Sequence, residues 1–309
     1  MKIVLTGGAG FIGSHVADIL IREGHHLAII DNLSSGKMGN VPPAASFYKL
    51  DILDPSVGEV LQKESPEVII HHAAQISVRC SVEDPINDME INIKGTLNLL
   101  QNAVQHNVKK FVFASTGGAI YGEQDYFPAD EQHPQRPLSP YGIGKLAVER
   151  YLYFYNKTYG LNYTVLRYSN VYGPRQDPYG EAGVVAIFTL KMLDNGNSVI
   201  NGTGEQTRDF VFVRDVAMAN LRALNSDFIG EVNIATGTET SVNQLFGILK
   251  NLTRSDAPEK HGPPIPGEQL RSVLSWEKAR TVMGWSPRVK LEDGLAETME
   301  FFKAAAKTR

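Results

Sequence analysis

The chain has 309 residues, 42% of them hydrophobic, and its 30 basic and 34 acidic side chains leave a formal net charge of −4. That length buries a large core as one elaborate α/β domain or as two lobes, and the mixed charge offers no basic footprint for nucleic acid. Cys80 is the single cysteine, so a disulfide-free protein in a reducing, cytoplasmic setting is expected; no apolar run reaches membrane-spanning length and the first strand starts at residue 2, so neither signal peptide nor anchor is expected.

Residues Lys2 to Thr6 read as a short buried strand, and Gly7-Gly8-Ala9-Gly10-Phe11-Ile12-Gly13 follows at once, leading into a helical pattern from Ser14 to Arg22. Strand, glycines and helix in that order make a phosphate cradle. Gly7 permits the tight turn, Gly10 lets backbone approach a pyrophosphate, and Gly13 lets helix pack on strand. Phe11 and Ile12 open the helix whose N-terminus supplies oriented N–H donors. A second strand, Leu27 to Ile30, ends in Asp31. Its carboxylate is placed to accept hydrogen bonds from an adenosine ribose and to repel a 2′-phosphate, which favours NAD over NADP.

Apolar, β-branched runs then alternate with helical patterns: Phe47 to Leu50, a helix near Val57 to Lys63, Val68 to His71, a long helix near Asp84 to Gln105, then Phe111 to Ala114. Such alternation predicts a Rossmann-type, doubly wound parallel sheet with helices on both faces. His71 and His72 are adjacent on a strand and so point to opposite faces, and no Cys or carboxylate spacing accompanies them; no metal site is expected.

Ser139-Pro140 reads as a helix cap followed by a helix-starting proline. Behind it, Tyr141 and Lys145 stand at i and i+4 and project from one helix face. The ammonium is therefore expected to stabilise a phenolate, lower the tyrosine pKa toward neutrality and make Tyr141 a general base. A buried tyrosine beside a snorkelling lysine is the bland alternative, and the cradle upstream weighs against it. Tyr151, Tyr153, Phe154 and Tyr155 crowd the rest of this helix without interleaved basic residues. They read as core or dimer contact rather than a base-stacking platform.

Beyond a strand at Tyr163 to Arg167 the pattern is less regular. Asp177 to Gly183 is a Pro- and Gly-rich loop or lid before a helix from Val185 to Leu193. A strand from Arg208 to Val213 runs into a helix from Asp215 to Asn225, so the chain is expected to return to the first domain over about 208–235. Pro258 to Gly267 is a proline-rich connection, and helices follow near Trp276 to Met283 and Leu291 to Lys303. The expected organisation is a dinucleotide-binding domain over residues 1–168 and a smaller carboxyl-terminal lobe, mainly residues 169–309, over the strand ends.

The glycine cradle, Asp31-Asn32-Leu33-Ser34-Ser35-Gly36, Asp51-Ile52, the Ala114-Ser115-Thr116 strand end, Tyr141 with Lys145, and Arg167-Tyr168-Ser169-Asn170-Val171-Tyr172-Gly173-Pro174 together resemble the extended short-chain dehydrogenase/reductase family. The resemblance spans nearly the whole chain, and within the family it is nearest to members that invert the 4-carbon of UDP-hexoses. It implies an NAD-dependent epimerase interconverting UDP-glucose and UDP-galactose through a 4-keto intermediate, assembled as a homodimer. A nucleotide-sugar 4,6-dehydratase is the rival within the fold. A non-catalytic NAD-sensing protein is the rival outside enzymology.

The resemblance also implies roles. Asp51 and Ile52 resemble the pair bordering the adenine, next to Asn32, and Ala73 and Ala74 the loop under the cofactor; Lys145 would also bond the nicotinamide ribose. Asn170 and Arg208 match positions that hold the nucleotide diphosphate, where a guanidinium makes a bidentate contact. Glu268 resembles the acid that binds the uridine ribose, and Ser272 falls where a bulky tyrosine in some relatives excludes a 2-acetamido group. Two departures stand out. Gly117 occupies the position of the usual catalytic Ser or Thr, leaving Thr116 to be presented by a bend at Gly117-Gly118, and Ile265 replaces an arginine that contacts phosphate.

Overall fold

The computed structural model describes residues 1–179, 183–256, 258–264 and 269–307. Its first half runs β1 (Lys2–Thr6), α1 (Phe11–Arg22), β2 (His26–Asp31), β3 (Ser46–Lys49), α2 (Val57–Glu64), β4 (Val68–His71), α3 (Val78–Glu83), α4 (Pro85–Met89), α5 (Gly95–Gln105), β5 (Lys110–Thr116), α6 (Gly117–Tyr121), α7 (Pro140–Tyr159) and β6 (Asn162–Tyr168). The strands are Val-, Ile- and Leu-rich without alternation because both their faces are covered, as a parallel sheet requires. A parallel sheet of seven strands results, in the order β11-β6-β5-β4-β1-β2-β3, where β11 is Gly230–Ile234. Strand order reverses between β1 and β4, and the crevice outside their carboxyl ends is where ligands of such sheets bind.

Two cores flank the sheet. On one face Val16, Leu20, Leu27, Val216, Leu221 and Trp285 are buried together; on the other Val57, Leu61, Leu99, Leu100, Val148 and Leu152 close over Val4, Ile30 and Phe111. The long helix expected over Asp84 to Gln105 is present in pieces. Asp84 caps it by accepting the Asn87 N–H, Pro85 starts it, and a π-helical turn at Glu90–Lys94 separates α4 from α5. Helix α7 follows its predicted cap: the Ser139 hydroxyl accepts the Gly142 N–H at 3.1 Å, and Gly160 ends the helix at φ 71°.

The second half contributes β7 (Asn170–Tyr172), α8 (Val184–Leu193), β8 (Val199–Asn201), β9 (Thr207–Arg208), β10 (Phe210–Phe212), α9 (Val213–Leu224), β11, β12 (Thr240–Ser241), α10 (Val242–Thr253), β13 (Lys260–Gly262), α11 (Glu277–Met283) and α12 (Leu291–Lys307). The single strand expected at Arg208 to Val213 is two short ones broken at Asp209. β9 pairs with β12 and β10 with β7, outside the large sheet. After that excursion α9 packs on α1 and β11 hydrogen-bonds along β6. Tyr172, Phe188, Phe210, Phe212, Phe246 and Leu295 form a separate core beneath α8, α10 and α12. Helix α10 was not anticipated, although its capping box, Ser241 with Gln244, is a sequence signal for a helix start.

Candidate active site

The cradle is built by close backbone approach at the end of β1. Gly7 has φ +70°, and a Cβ there would sit 2.6 Å from the Ala73 nitrogen; a Cβ at Gly13 would sit 2.1 Å from the Gly7 carbonyl oxygen. Only glycine fits either position. Helix α1 then starts at Gly10 with no capping side chain and no acidic residue in its first turn, so the N-terminal N–H groups at Phe11 and Ile12 face no built-in anion. At the end of β2, Asp31 is 8% exposed; its Oδ2 accepts the Ala9 N–H at 3.0 Å and its Oδ1 the Leu33 N–H at 2.8 Å. These bonds aim the carboxylate and leave each oxygen a lone pair. Nearby, Asn32 Nδ2 donates to Asp51 Oδ2 at 2.8 Å, Asp51 Oδ1 accepts the Leu53 N–H, and buried Ile52 gives its carbonyl to Asn98 Nδ2 at 2.8 Å. Half-buried Ala73 and Ala74 follow β4, and the Ala73 N–H donates to Thr6 Oγ1 at 3.2 Å. An anion-receptive helix end next to a fixed carboxylate fits a dinucleotide whose adenosine ribose has free hydroxyls.

The reacting end adjoins this cradle. Lys145 is 4% exposed; its Nζ donates to the Ala114 carbonyl at 3.0 Å, lies 4.8 Å from the Phe113 ring centroid and 5.8 Å from that of Tyr141. Burial pulls its pKa down to about 8 against the opposing pull of Asp88 and Glu149. The expected lowering of the Tyr141 pKa is not found in the protein by itself. Burial raises it, the Asp88 carboxylate raises it further, and among the described residues nothing hydrogen-bonds the Tyr141 hydroxyl. Burial of the phenol is the larger cause, and the ammonium, which donates to the Ala114 carbonyl, makes no hydrogen bond to it.

The double glycine does not bend a loop. Gly117 opens α6, and Thr116 is its N-cap, Oγ1 accepting the Ala119 N–H at 3.3 Å. That leaves the Thr116 O–H free to donate. A Cβ at Gly117 would lie 2.2 Å from Leu274 Cδ1, so a leucine fills the space that a side chain would take there. Beneath α6 and α7 runs a buried network invisible in the sequence. Arg167 donates to both Glu149 oxygens, at 3.1 and 2.6 Å, and to the Tyr121 hydroxyl, while Ser115 donates to Glu149 at 2.7 Å. His71 is hydroxyl-bound on both ring nitrogens, by Thr6 and Thr96, and His72 Nε2 by Tyr168.

Toward the second core, Asn170 is half-buried at the start of β7, its N–H donating to the Asp209 carbonyl, and Arg208 is half-buried on β9 with Nη1 donating to the Thr207 carbonyl at 2.8 Å. Asp209, also unanticipated, gathers the Thr236 and Gly237 N–H groups and the Thr236 hydroxyl within 2.9 Å and so ties this strand pair to the end of β11. Ser272 is 3% exposed rather than solvent-facing, and its Oγ is 3.8 Å from where a Gly118 Cβ would be, beside the reacting end. Glu268 and Ile265 lie outside the described residues.

The model of the NAD dependent epimerase/dehydratase family matches residues 3–235. A curated relative from Methanocaldococcus jannaschii, named putative UDP-glucose 4-epimerase, is 49% identical over 97% of this chain and 98% of its own length. Among solved structures, the UDP-glucose 4-epimerase of Thermotoga maritima with UDP-glucose superposes with a TM-score of 0.97 at 50% identity, covering 99% of this chain and 100% of that one. The Thermus thermophilus UDP-glucose 4-epimerase in complex with NAD gives 0.95 at 43% identity, with the same coverage of both chains.

Proposed function

The chain belongs to the NAD dependent epimerase/dehydratase family, and on that premise we propose that it interconverts UDP-glucose and UDP-galactose by inverting the sugar 4-carbon through a 4-keto intermediate. The observation that carries this reading is the Tyr141–Lys145 pair on one turn of α7 next to the Gly7–Gly13 cradle, in a chain similar from end to end to UDP-glucose 4-epimerases. Held by the Gly7–Gly13 cradle and Asp31, NAD would supply the acceptor, and then the donor, of the hydride at the sugar 4-carbon. Tyr141 accepts the 4-hydroxyl proton as that hydride leaves and gives it back at the end, so base and acid roles alternate and no net oxidant is consumed. Lys145 supplies positive charge to the phenolate, and the free O–H of Thr116 steadies the reacting oxygen. Asn170 and Arg208 hold the diphosphate and Glu268 the uridine ribose, an anchor about which the keto sugar rotates. Residues 1–168, with the returning β11, hold the cofactor, and the rest mainly the sugar nucleotide.

Gly117-Gly118-Ala119 offers no acid to expel a 6-hydroxyl, which disfavours a dehydratase. Retention of Tyr141 and Lys145 disfavours a non-catalytic NAD sensor. Val82, Ile86 and Met89 on α3 and α4, with Ile143, Tyr151 and Phe154 on α7, leave exposed apolar surface that supports a two-fold homodimer; light scattering should return twice the chain mass. Among the described residues no helix is long and apolar enough to cross a membrane, and the single cysteine supports a cytoplasmic protein. Incubating the NAD-loaded protein with UDP-galactose and following the sugar by NMR tests the central reading. UDP-glucose should appear with no 6-deoxy product, and a 6-deoxy-4-keto sugar would overturn it.

A further inference from the structure

Asp88, in the last turn of α4, is 1% exposed, and its Oδ1 accepts hydrogen bonds from Gln75 Nε2 at 2.8 Å and Asn92 Nδ2 at 2.9 Å. Neither amide can turn round. Gln75 Oε1 takes the Ser77 N–H while Nε2 also donates to the Ser77 carbonyl; Asn92 Oδ1 takes the Gln75 N–H at 3.0 Å while Nδ2 also donates to the Gln75 carbonyl at 2.9 Å. A flipped amide would set oxygen against oxygen and NH2 against N–H. Backbone pairing thus forces two donors onto one carboxylate oxygen, and these charge-assisted bonds and Lys145 offset part of the cost of burying the anion, whose pKa burial still raises. The other oxygen, Oδ2, has no hydrogen bond among the described residues. It faces Gly144, where a Cβ would come within 3.4 Å of it, on the turn of α7 between Tyr141 and Lys145.

The remaining ionisable neighbours are committed. Glu149, on α7 itself, is paired with Arg167 at 2.6 Å. His71 and His72, at the end of β4, are kept neutral by burial and by Lys145, His72 pushed down to about 3. Asp88 is the charge that bears on both members of the pair, holding Lys145 cationic and Tyr141 protonated.

We infer that Asp88 is a positioning residue of the acid–base pair: its buried carboxylate makes the Asp88–Lys145–Tyr141 cluster electrically neutral while the phenol is protonated. Tyr141 then gives up its proton without leaving a net negative cluster only when a positive charge is bound beside it. The pair is therefore inactive as a base until the oxidised cofactor is in place. Without the carboxylate the cluster carries a net positive charge, and the phenolate forms more readily, with burial still opposing it.

The kinetic arm of the test rests on the epimerase reading; the spectroscopic arm does not. Tyrosine labelled with 13C at the phenol carbon is titrated in the cofactor-free full chain, the Tyr141 signal being the one lost in Tyr141→Phe. Asp88→Asn should move the Tyr141 titration to lower pH by about one to two units, the shift expected of one charge several ångströms away at protein-like dielectric. In the NAD-loaded enzyme the same substitution should move both limbs of the kcat/KM profile to lower pH, since it lowers the phenol and the Lys145 ammonium together, with KM changed less than about threefold. Should D88N not fold, Asp88→Ser, still able to bond both amides, replaces it. A folded, uncharged variant with an unmoved Tyr141 titration overturns the inference, even if activity falls. Wild-type protein that turns over no UDP-sugar overturns the proposed function alone, because the NMR comparison still decides the role of Asp88.

Discussion

The cofactor cradle and the sugar side of the cleft are built in opposite ways. In the cradle, neighbours in sequence do nearly everything: Gly7, Gly10 and Gly13 are spaced so that one turn of backbone makes the anion site, and Asp31 is aimed by the Ala9 and Leu33 N–H groups. On the sugar side no short segment suffices. Leu274 fills the space over Gly117 next to the Thr116 cap, and Asp209, next to Arg208, bonds to the end of β11. A site made of backbone is unforgiving of any added atom, whereas one made of distant side chains is retuned one residue at a time.

The contrast can be tested from the strongest effect downward. Tyr141→Phe removes the proton acceptor and little volume, so turnover should fall by about 100- to 10,000-fold with NAD and UDP binding intact; stopped assays showing a loss below threefold would remove Tyr141 from its role. Gly13→Ala puts a methyl 2.1 Å from a backbone oxygen that has nowhere to go. It should cost about 3 kcal/mol, the top of the overpacking range, read as a lower thermal midpoint and failure to retain NAD. Asp31→Ala should leave the fold unchanged and weaken NAD about 10- to 100-fold, as expected for hydrogen bonds to a charged group, while NADP weakens less; calorimetry giving equal losses for both would exclude the proposed ribose contact. Ser272→Tyr should cut epimerisation of UDP-N-acetylglucosamine by about tenfold and spare UDP-glucose, because a bulky ring beside Gly118 excludes the acetamido group. Equal loss on both sugars would move the size filter elsewhere.

The same contrast explains what could be read from the residues alone. The parallel sheet, the cradle, Asp31 and the cap of α7 were legible, since each depends on a local period or on a backbone conformation that one residue type satisfies. The Tyr141 environment was half legible: i, i+4 spacing correctly put Tyr141 and Lys145 on one face, but it could not reveal that Lys145 turns to the Ala114 carbonyl or that Asp88 faces Gly144 on the turn between them. Gly117 read as a hinge only because Leu274 is remote in sequence. The split of the expected strand at Asp209 escaped for the same reason, being decided by elements that meet only after the second half has folded back over β6.

The π-helical turn at Glu90–Lys94 carries a consequence for descent as well as for structure. Each residue advances an α-helix by about 100°, and one wide turn sets the helix back by roughly that angle. It acts as a phase shifter, letting a single rod present Asp88 and Asn92 to α7 at one end and Leu99, Leu100 and Ala103 to the core at the other. Loss of one codon within that turn would leave Asp88, Tyr141 and Lys145 all in the chain and yet rotate the carboxylate out of phase with the tyrosine, so the phase of the helix, and not those residues alone, is what inheritance has to protect.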